Sequence, residues 1–271
     1  MSGINKSIVH SVTHLRAEFS DKIGNRKTIL GTGFWIQHDP STSILVTNRH
    51  VLDAALLLGQ PTSLRLTSVQ IELRRADEGT LYADTKFFEV LNLELSLRLS
   101  QHADCAVLHK PELGSNLGEF KILFRILQTD IADNTFLAER VQVMDFASFI
   151  GFPGDSQNPW WDTRFNFPIA RLCSIASLPE LPFSNPAVKT SDATLVTGFS
   201  FSGSSGSPVI LHQKGIRAGG GLEDPSFVPP KVIGIMSGHK AEQSPTTPML
   251  QHTGISYFTR STSILQIINS V

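Results

Sequence analysis

The sequence predicts an all-β protein assembled from barrels or sandwiches. Three observations carry that prediction. Apolar and polar residues alternate with period two over many short segments. Clusters of Gly, Pro, Asn, Asp and Ser punctuate those segments. Helical periodicity is scarce, so ten or more short strands must close on themselves or stack in two layers to bury their apolar faces.

The elements follow in chain order. "HLRAEF" (14–19) and "ILGTGFWI" (29–36) read as the first two strands, and "SILVT" (43–47) reads as a buried third. "SLRLTSVQIELR" (63–74) alternates with one phase change near Ser68, the pattern of a β-bulge. "LNLELSLRL" places Leu91, Leu93, Leu95, Leu97 and Leu99 on one face and predicts a half-buried strand. "DCAVL" (104–108), "QVMDFASFIGF" (142–152), "RLCSIA" (171–176), "SPVILH" (207–212) and "KVIGIMSG" (231–238) complete the set. "HVLDAALLL" predicts one or two helical turns, with Asp53 as a helix-start or surface residue. "RSTSILQIINSV" predicts a terminal helix capped by Ser261 or Thr262, with Ile264, Leu265 and Ile268 on its apolar side. The polar stretch "QTDIADNTFLAER" (128–140) predicts the join between two halves, residues 1–135 and 136–271. Two long loops stand out, "GFPGDSQNPWWDTRFNFP" and "KGIRAGGGLEDPSFVPPK". The Gly219-Gly220-Gly221 run in the second has no following Lys-Ser or Lys-Thr, so a hairpin tip is expected rather than a phosphate loop.

Composition narrows the function. The chain has 271 residues, 41% of them hydrophobic, and 23 basic against 24 acidic residues give a formal net charge of -1. Without a basic face or tail, nucleic acid and anionic membranes are not expected partners. No apolar run reaches the roughly 18 residues of a membrane span or makes an N-terminal signal, so a cytoplasmic protein is expected. Cys105 and Cys173 have neither metal nor redox spacing and are expected as reduced thiols. His10 and His14 lack acidic or thiol companions, so no metal is expected, and no cofactor. Trp160 and Trp161 in their Pro- and Asn-rich loop are expected to pack over a barrel edge.

The chemistry concentrates in "FSGSSGSPVI" (201–210). A nucleophilic serine needs a base to take its proton and donors for the oxyanion, and flanking glycines permit the tight turn that aims backbone N–H groups at one point. Residues 203–208, Gly-Ser-Ser-Gly-Ser-Pro, resemble the Gly-x-Ser-Gly-x-Pro signature of chymotrypsin-like serine proteases. "TNRHVL" after a buried strand is similar to the family's Thr-x-x-His-Val segment, and "GTGFWI" to the strand that hairpins into it. Asp104 before an aliphatic run is similar to the family's carboxylate, in the chain order His, Asp, Ser. "DFASFIGFPG", "KVIGIMSG" and "HTGISYFTRSTSILQII" extend the resemblance to most of the chain. The style resembles most the bacterial trypsin-like peptidase domains related to the HtrA group, and no PDZ domain is expected after the terminal helix.

The resemblance implies two six-stranded antiparallel β-barrels with a short C-terminal helix. It implies Ser205 as nucleophile, His50 as general base, Asp104 as its orienting carboxylate, and the backbone N–H groups of Gly203 and Ser205 as the oxyanion hole. Ser237 and Gly238 are expected to pair with substrate main chain. Phe199, Ser200 and His239 are expected in the pocket for the residue before the scissile bond, P1. There are departures. Ser204 stands where secreted trypsins carry the Asp that receives a new N-terminus, so gating by loop order or by an activating protein partner is expected instead. Phe199 stands where trypsins carry an acid, so Lys and Arg are expected to be poor at P1 and a small or medium apolar residue good, with His239 and His252 offering an acidic alternative. Ser207 replaces the family's second glycine. The expected function is peptide-bond hydrolysis on protein or peptide substrates. The alternative is a protease-fold binding or regulatory module, inactive at rest.

Overall fold

The computed structural model describes residues 6–75, 84–114, 116–184, 191–215, 226–243 and 250–270. Helix α1 (Lys6–Ser11) leads into β1 (Val12–Ser20), β2 (Arg26–Gln37) and β3 (Ser43–Thr47). Two short helices, α2 (Arg49–Leu52) and α3 (Ala54–Leu58), precede β4 (Arg65–Arg75) and β5 (Thr85–Glu89). Then come α4 (Leu93–Ser96), β6 (Leu97–Leu99), β7 (Ala106–His109), β8 (Phe120–Lys121), β9 (Ile126–Leu127) and α5 (Asn134–Arg140). The second half runs β10 (Phe146–Gly151), β11 (Ile169–Ile175), β12 (Ala193–Thr197), β13 (Pro208–Leu211), β14 (Val232–Gln243), β15 (Leu250–Arg260) and α6 (Ser261–Ile268).

The molecule is mainly antiparallel β-structure, as the alternation predicts. The second half closes into a six-stranded barrel in the order β10-β11-β12-β15-β14-β13. The first half departs from the expected six-stranded barrel. It is a nine-stranded sheet in the order β5-β4-β1-β2-β3-β7-β6, with β8 against β4 and β9 against β2. The extra strands are two-residue pairings made by the return segment after β7. The bulge expected near Ser68 is present, as the β1–β4 register shifts between Glu18 and Phe19.

"LNLELSLRL" is not the single strand expected. It turns through α4 before three residues pair as β6. Leu91 and Leu95 are 62% and 76% exposed while Leu93 and Leu97 pack against the core of the first half, so the leucines do not share one face. The 128–140 stretch holds a helix that its polarity concealed. Asp133 caps α5 by accepting the Phe136 N–H at 2.7 Å. Asp53 likewise starts α3, accepting from the Ala55 and Leu56 N–H groups. The terminal helix α6 forms as expected, but its N-cap is Arg260, without a side-chain cap, rather than Ser261 or Thr262, which lie inside the first turn. It buries Ile264, Ile267 and Ile268.

One core cluster joins the two halves: Phe34, Val46 and Val107 from the first sheet meet Ile150, Phe152 and Ile235 from the barrel and Ile264 from α6. Each half also has its own cluster, around Leu15 and Leu45 and around Phe149 and Phe258. The two halves are therefore joined by shared apolar packing, the non-directional term that dominates folding. Gly219, Gly220 and Gly221 lie outside the described residues. Among the described residues no helix is long and apolar enough to cross a membrane.

Candidate active site

Strand pairing brings the first two candidate residues together. β3 pairs antiparallel with β7, with Thr47 opposite Ala106. His50, just past the end of β3, therefore meets Asp104, just before the start of β7. The Asp104 carboxylate grips His50 twice. Oδ2 lies 2.7 Å from the imidazole Nδ1, and Oδ1 accepts the His50 backbone N–H at 2.9 Å. Both side chains are largely buried, 14% and 7% exposed. That bond assigns the proton to Nδ1 and leaves Nε2 as the acceptor facing the cleft.

The serine loop is tied to β2. The Thr32 N–H donates to the Ser205 carbonyl at 2.8 Å, and Thr32 Oγ1 donates to the Gly203 carbonyl at 2.8 Å. These bonds give the Gly31-Thr32-Gly33 segment its purpose: it is the template on which the turn is moulded. Gly206 cannot be replaced there. Its φ is +93°, and a Cβ would lie 1.7 Å from the Thr32 carbonyl oxygen. Gly203 also has positive φ, +83°, with the Phe152 carbonyl 2.3 Å from where a Cβ would be.

The four serines of the loop differ in kind. Ser202 is exposed, and its carbonyl accepts the Gly154 N–H at 2.7 Å. Ser204 is buried, with its hydroxyl accepting the Phe201 N–H at 3.4 Å. Ser207 is fully buried against Gly151, a side chain that the fold accommodates because Gly151 has none. Ser205 is partly exposed and lines, with His50 and Asp104, a cavity of about 280 Å³. His50 and Ser205 also line a second cavity of about 530 Å³ that runs past Gly203 toward Lys27 and Asp155. The pair thus sits where two cavities meet, as bond cleavage between two arms of a chain requires. Among the described residues no hydrogen bond joins Ser205 to His50, and the N–H groups of Gly203 and Ser205 have no acceptor.

Ser200, Ser237, Gly238 and His239 line the first cavity with Met236 and Tyr257. Ser237 lies where the β14–β15 register shifts, between Met236 and Gly238. Phe199 lies outside the residues lining this cavity and is 51% exposed, with its ring 4.8 Å from that of His252. Gly254 leaves a shelf for it, since a Cβ there would be 3.7 Å from the Phe199 ring.

Sequence reasoning missed Asn48. It occupies the N-cap position of α2, yet its side chain makes no cap bond. Instead Oδ1 accepts the Gly206 N–H at 2.6 Å, while Nδ2 donates at 2.8 Å to both the Asp104 carbonyl and Ser237 Oγ. One fully buried amide therefore connects the segments of His50, Asp104, Ser205 and Ser237. An Asn just before a short helix was the available signal, but capping was the ordinary explanation.

Competing nucleophiles are weak. Burial pushes the Cys173 thiol up to about 12 and raises Cys105 further, and both are buried, free thiols. His10 sits between the rings of Phe124 and Phe167, and His14 stacks on Phe152 at 4.9 Å. Among the described residues no group of three or more metal-ligating side chains converges.

Comparison with solved structures finds the same architecture. The HtrA-type protease AlgW with tripeptide is similar over 98% of this chain, at 12% identity and a TM-score of 0.53. This chain spans 61% of the AlgW chain. Deg5 is similar over 96% of this chain and 88% of its own, at 15% identity and a TM-score of 0.50. No family model matches the sequence, and no curated protein matches it. The likeness establishes the chymotrypsin-like fold.

Proposed function

We propose that the protein is a serine endopeptidase working through His50, Asp104 and Ser205. The observation that carries this reading is the doubly held His50–Asp104 pair facing a cavity that Ser205 shares. In this mechanism Nε2 of His50 takes the Ser205 proton as Oγ attacks the scissile carbonyl, then returns it to the leaving amine. Asp104 stabilises the imidazolium. The Gly203 and Ser205 N–H groups receive the oxyanion, and water then releases the acyl group by the same steps. Ser237 and Gly238 hold the substrate main chain as an added strand. No cofactor enters any step.

The same reading makes the protein cytoplasmic, with a protein or peptide as substrate and neither nucleic acid nor membrane as partner. Ser204 offers no carboxylate for a freed N-terminus, so ordering of the 199–205 loop, by substrate or an activating protein, brings Ser205 into register with His50. Without that ordering the protein is a protease-fold binding module at rest, a reading favoured by the unmade Ser205–His50 bond. A fluorophosphonate probe tests both readings, applied with and without lysate from the native source. Ser205 is the expected adduct, and Ser205→Ala should lower turnover by on the order of 10⁶. Ser202→Ala, Ser204→Ala and Ser207→Ala should keep much of it. Full hydrolysis by Ser205→Ala would end this assignment.

A further inference from the structure

Every carbonyl from Ser202 to Ser205 is held by a hydrogen bond. The Ser202 carbonyl accepts the Gly154 N–H at 2.7 Å, and the Ser204 carbonyl accepts the Ser207 N–H at 3.1 Å. The other two go to one residue of the first half, Thr32 on β2. The Gly203 carbonyl accepts its hydroxyl and the Ser205 carbonyl its backbone N–H, each at 2.8 Å. In a trans peptide the carbonyl and the N–H point to opposite sides of one plane. The bonds to the Ser202 and Ser204 carbonyls therefore aim the N–H groups of Gly203 and Ser205, the two donors of the oxyanion hole. The bonds from Thr32 fix the planes that follow, so each donor residue is held on both sides.

Gly203 depends on this more than Ser205. Its φ is +83°, and with no side chain it has little of its own to fix ψ. A stiffer residue cannot take its place, since a Cβ would lie 2.3 Å from the Phe152 carbonyl oxygen. The Thr32 hydroxyl supplies the missing constraint. It has a single proton, and the Phe152 N–H donates into its oxygen at 3.0 Å, so that proton goes to the Gly203 carbonyl. Thr32 is fully buried. Its own carbonyl accepts the Thr47 hydroxyl at 2.7 Å, at the end of the strand that leads to His50.

We infer that Thr32 is a positioning residue for the oxyanion hole, its hydroxyl holding the Gly203 peptide so that the Gly203 N–H meets the developing oxyanion. The inference rests on the peptidase reading of Ser205. It gives the first half a share in a hole whose donors both belong to the second half. It also narrows what ordering of the 199–205 segment has to supply. The donors are already held, and the Ser205–His50 bond remains to be made.

The test uses the full-length protein and separates the transition state from the bound peptide. Thr32→Val keeps the branched shape and removes the hydroxyl, whereas Thr32→Ser keeps the hydroxyl. For Thr32→Val, kcat/KM on a peptide substrate should fall about 30-fold, short of the 10²–10³ of deleting a donor, with KM within about 3-fold. A peptide aldehyde mimics the tetrahedral state: Ser205 Oγ adds to its carbonyl carbon, the proton passes to His50, and the former carbonyl oxygen enters the hole. Its affinity should fall by the same factor as kcat/KM. In a Ser205→Ala background the corresponding uncleaved peptide should bind within about 3-fold with and without Thr32→Val. Thr32→Ser should recover most of the loss. Thr32→Cys, with a weaker donor, should fall between the two and serves where the valine variant does not fold. A loss of stability in urea with kcat/KM and aldehyde affinity unchanged reduces Thr32 to a structural residue and overturns the inference. So does a serine variant no better than the valine one. Fluorophosphonate labelling of the parent protein reports on the peptidase reading by itself. A labelled parent with an unimpaired Thr32→Val removes the inference alone, and a parent that neither labels nor hydrolyses peptide removes both.

Discussion

Two walls of one cleft are built in different ways. On the His50 side, directed hydrogen bonds of 2.6–2.9 Å converge through Asn48 and Asp104, and the residues that make them are buried. On the Phe201 side, rings stack at 4.3–4.8 Å in a chain of His239, His252 and Phe199, and Trp160 lies on Phe201. Phe199 and Trp160 are about half exposed there, at 51% and 47%. A hydrogen bond weakens steeply with angle, whereas stacked rings slide at little cost. The first wall thus holds His50 and Asp104 by directed bonds, and the second is held by ring packing alone.

Asn48→Ala is the largest expected break in that contrast. It takes the Asn48 donor from the buried Asp104 carbonyl, while Ser237 Oγ keeps the Thr259 hydroxyl at 2.8 Å and the Gly206 N–H keeps the Met236 carbonyl at 3.0 Å. Losing a buried hydrogen bond of this kind costs about 1–3 kcal/mol. A 10²-fold fall in kcat is expected, on the order of 3 kcal/mol in the barrier, with KM within about 3-fold. Steady-state kinetics on a peptide substrate decides this. A kcat within two-fold of the parent protein would reduce Asn48 to a packing residue.

The two walls also differ in how legible they were. That His50, Asp104 and Ser205 share one cavity was readable because each sits at a strand end or tight turn that the sequence pattern marks. Asn48 was not, since its bonds span residues 48–237 and no local pattern reports partners so far apart. The barrel strands of the second half emerged from alternation, but β12, "ATLVT", is too short and too polar at its edges to show it. Phe199, expected in the pocket, is half exposed with its ring on His252. The open space at Gly254, 55 residues on, decided its direction.

His14 gives an intermediate effect, in a ring stack outside both walls. It lies between Phe152 at 4.9 Å and Trp161 at 5.0 Å, and its Nε2 is buried without a partner among the described residues. Burial, then the nearby Arg16 charge, lowers its pKa from 6.5 to about 4. The folded state therefore disfavours the proton that the unfolded chain takes up between pH 6.5 and 4. Over that window the unfolded state binds more protons, so stability falls as the pH falls. The loss from this group approaches about 3 kcal/mol at the acid end. Urea unfolding at pH 7 and pH 4.5 should show it in the parent protein. His14→Phe, which keeps a ring in the stack, should have the shallower acid loss. Equal losses in both proteins would place the acid sensitivity elsewhere.

Trp160→Ala should give the smallest effect, and it tests whether the stacked wall adapts. The 154–168 loop is anchored at both ends of its path. The Gly154 N–H holds the Ser202 carbonyl at 2.7 Å, and Arg74 of β4 donates to the Phe165 carbonyl at 2.8 Å. Trp161 points inward, with its indole N–H on Asn166 Oδ1, so the loop stays docked when Trp160 is cut back. What is lost is the ring 4.5 Å from Phe201, a contact worth about 0.5–1.5 kcal/mol. Phe201 carries Arg171 on its ring and lines the cavity. The expected change is therefore a 2- to 10-fold rise in KM with kcat nearly kept, since a wall that binds substrate and transition state alike affects KM first. Removing residues 1–5 should do nothing comparable, because Ser204 gives a new N-terminus no carboxylate to meet. If kcat falls with KM unchanged, Trp160 holds the nucleophile loop itself, and the two walls are one coupled device. If trimming the N-terminus raises turnover by orders of magnitude while Trp160→Ala is silent, gating does not run through this loop.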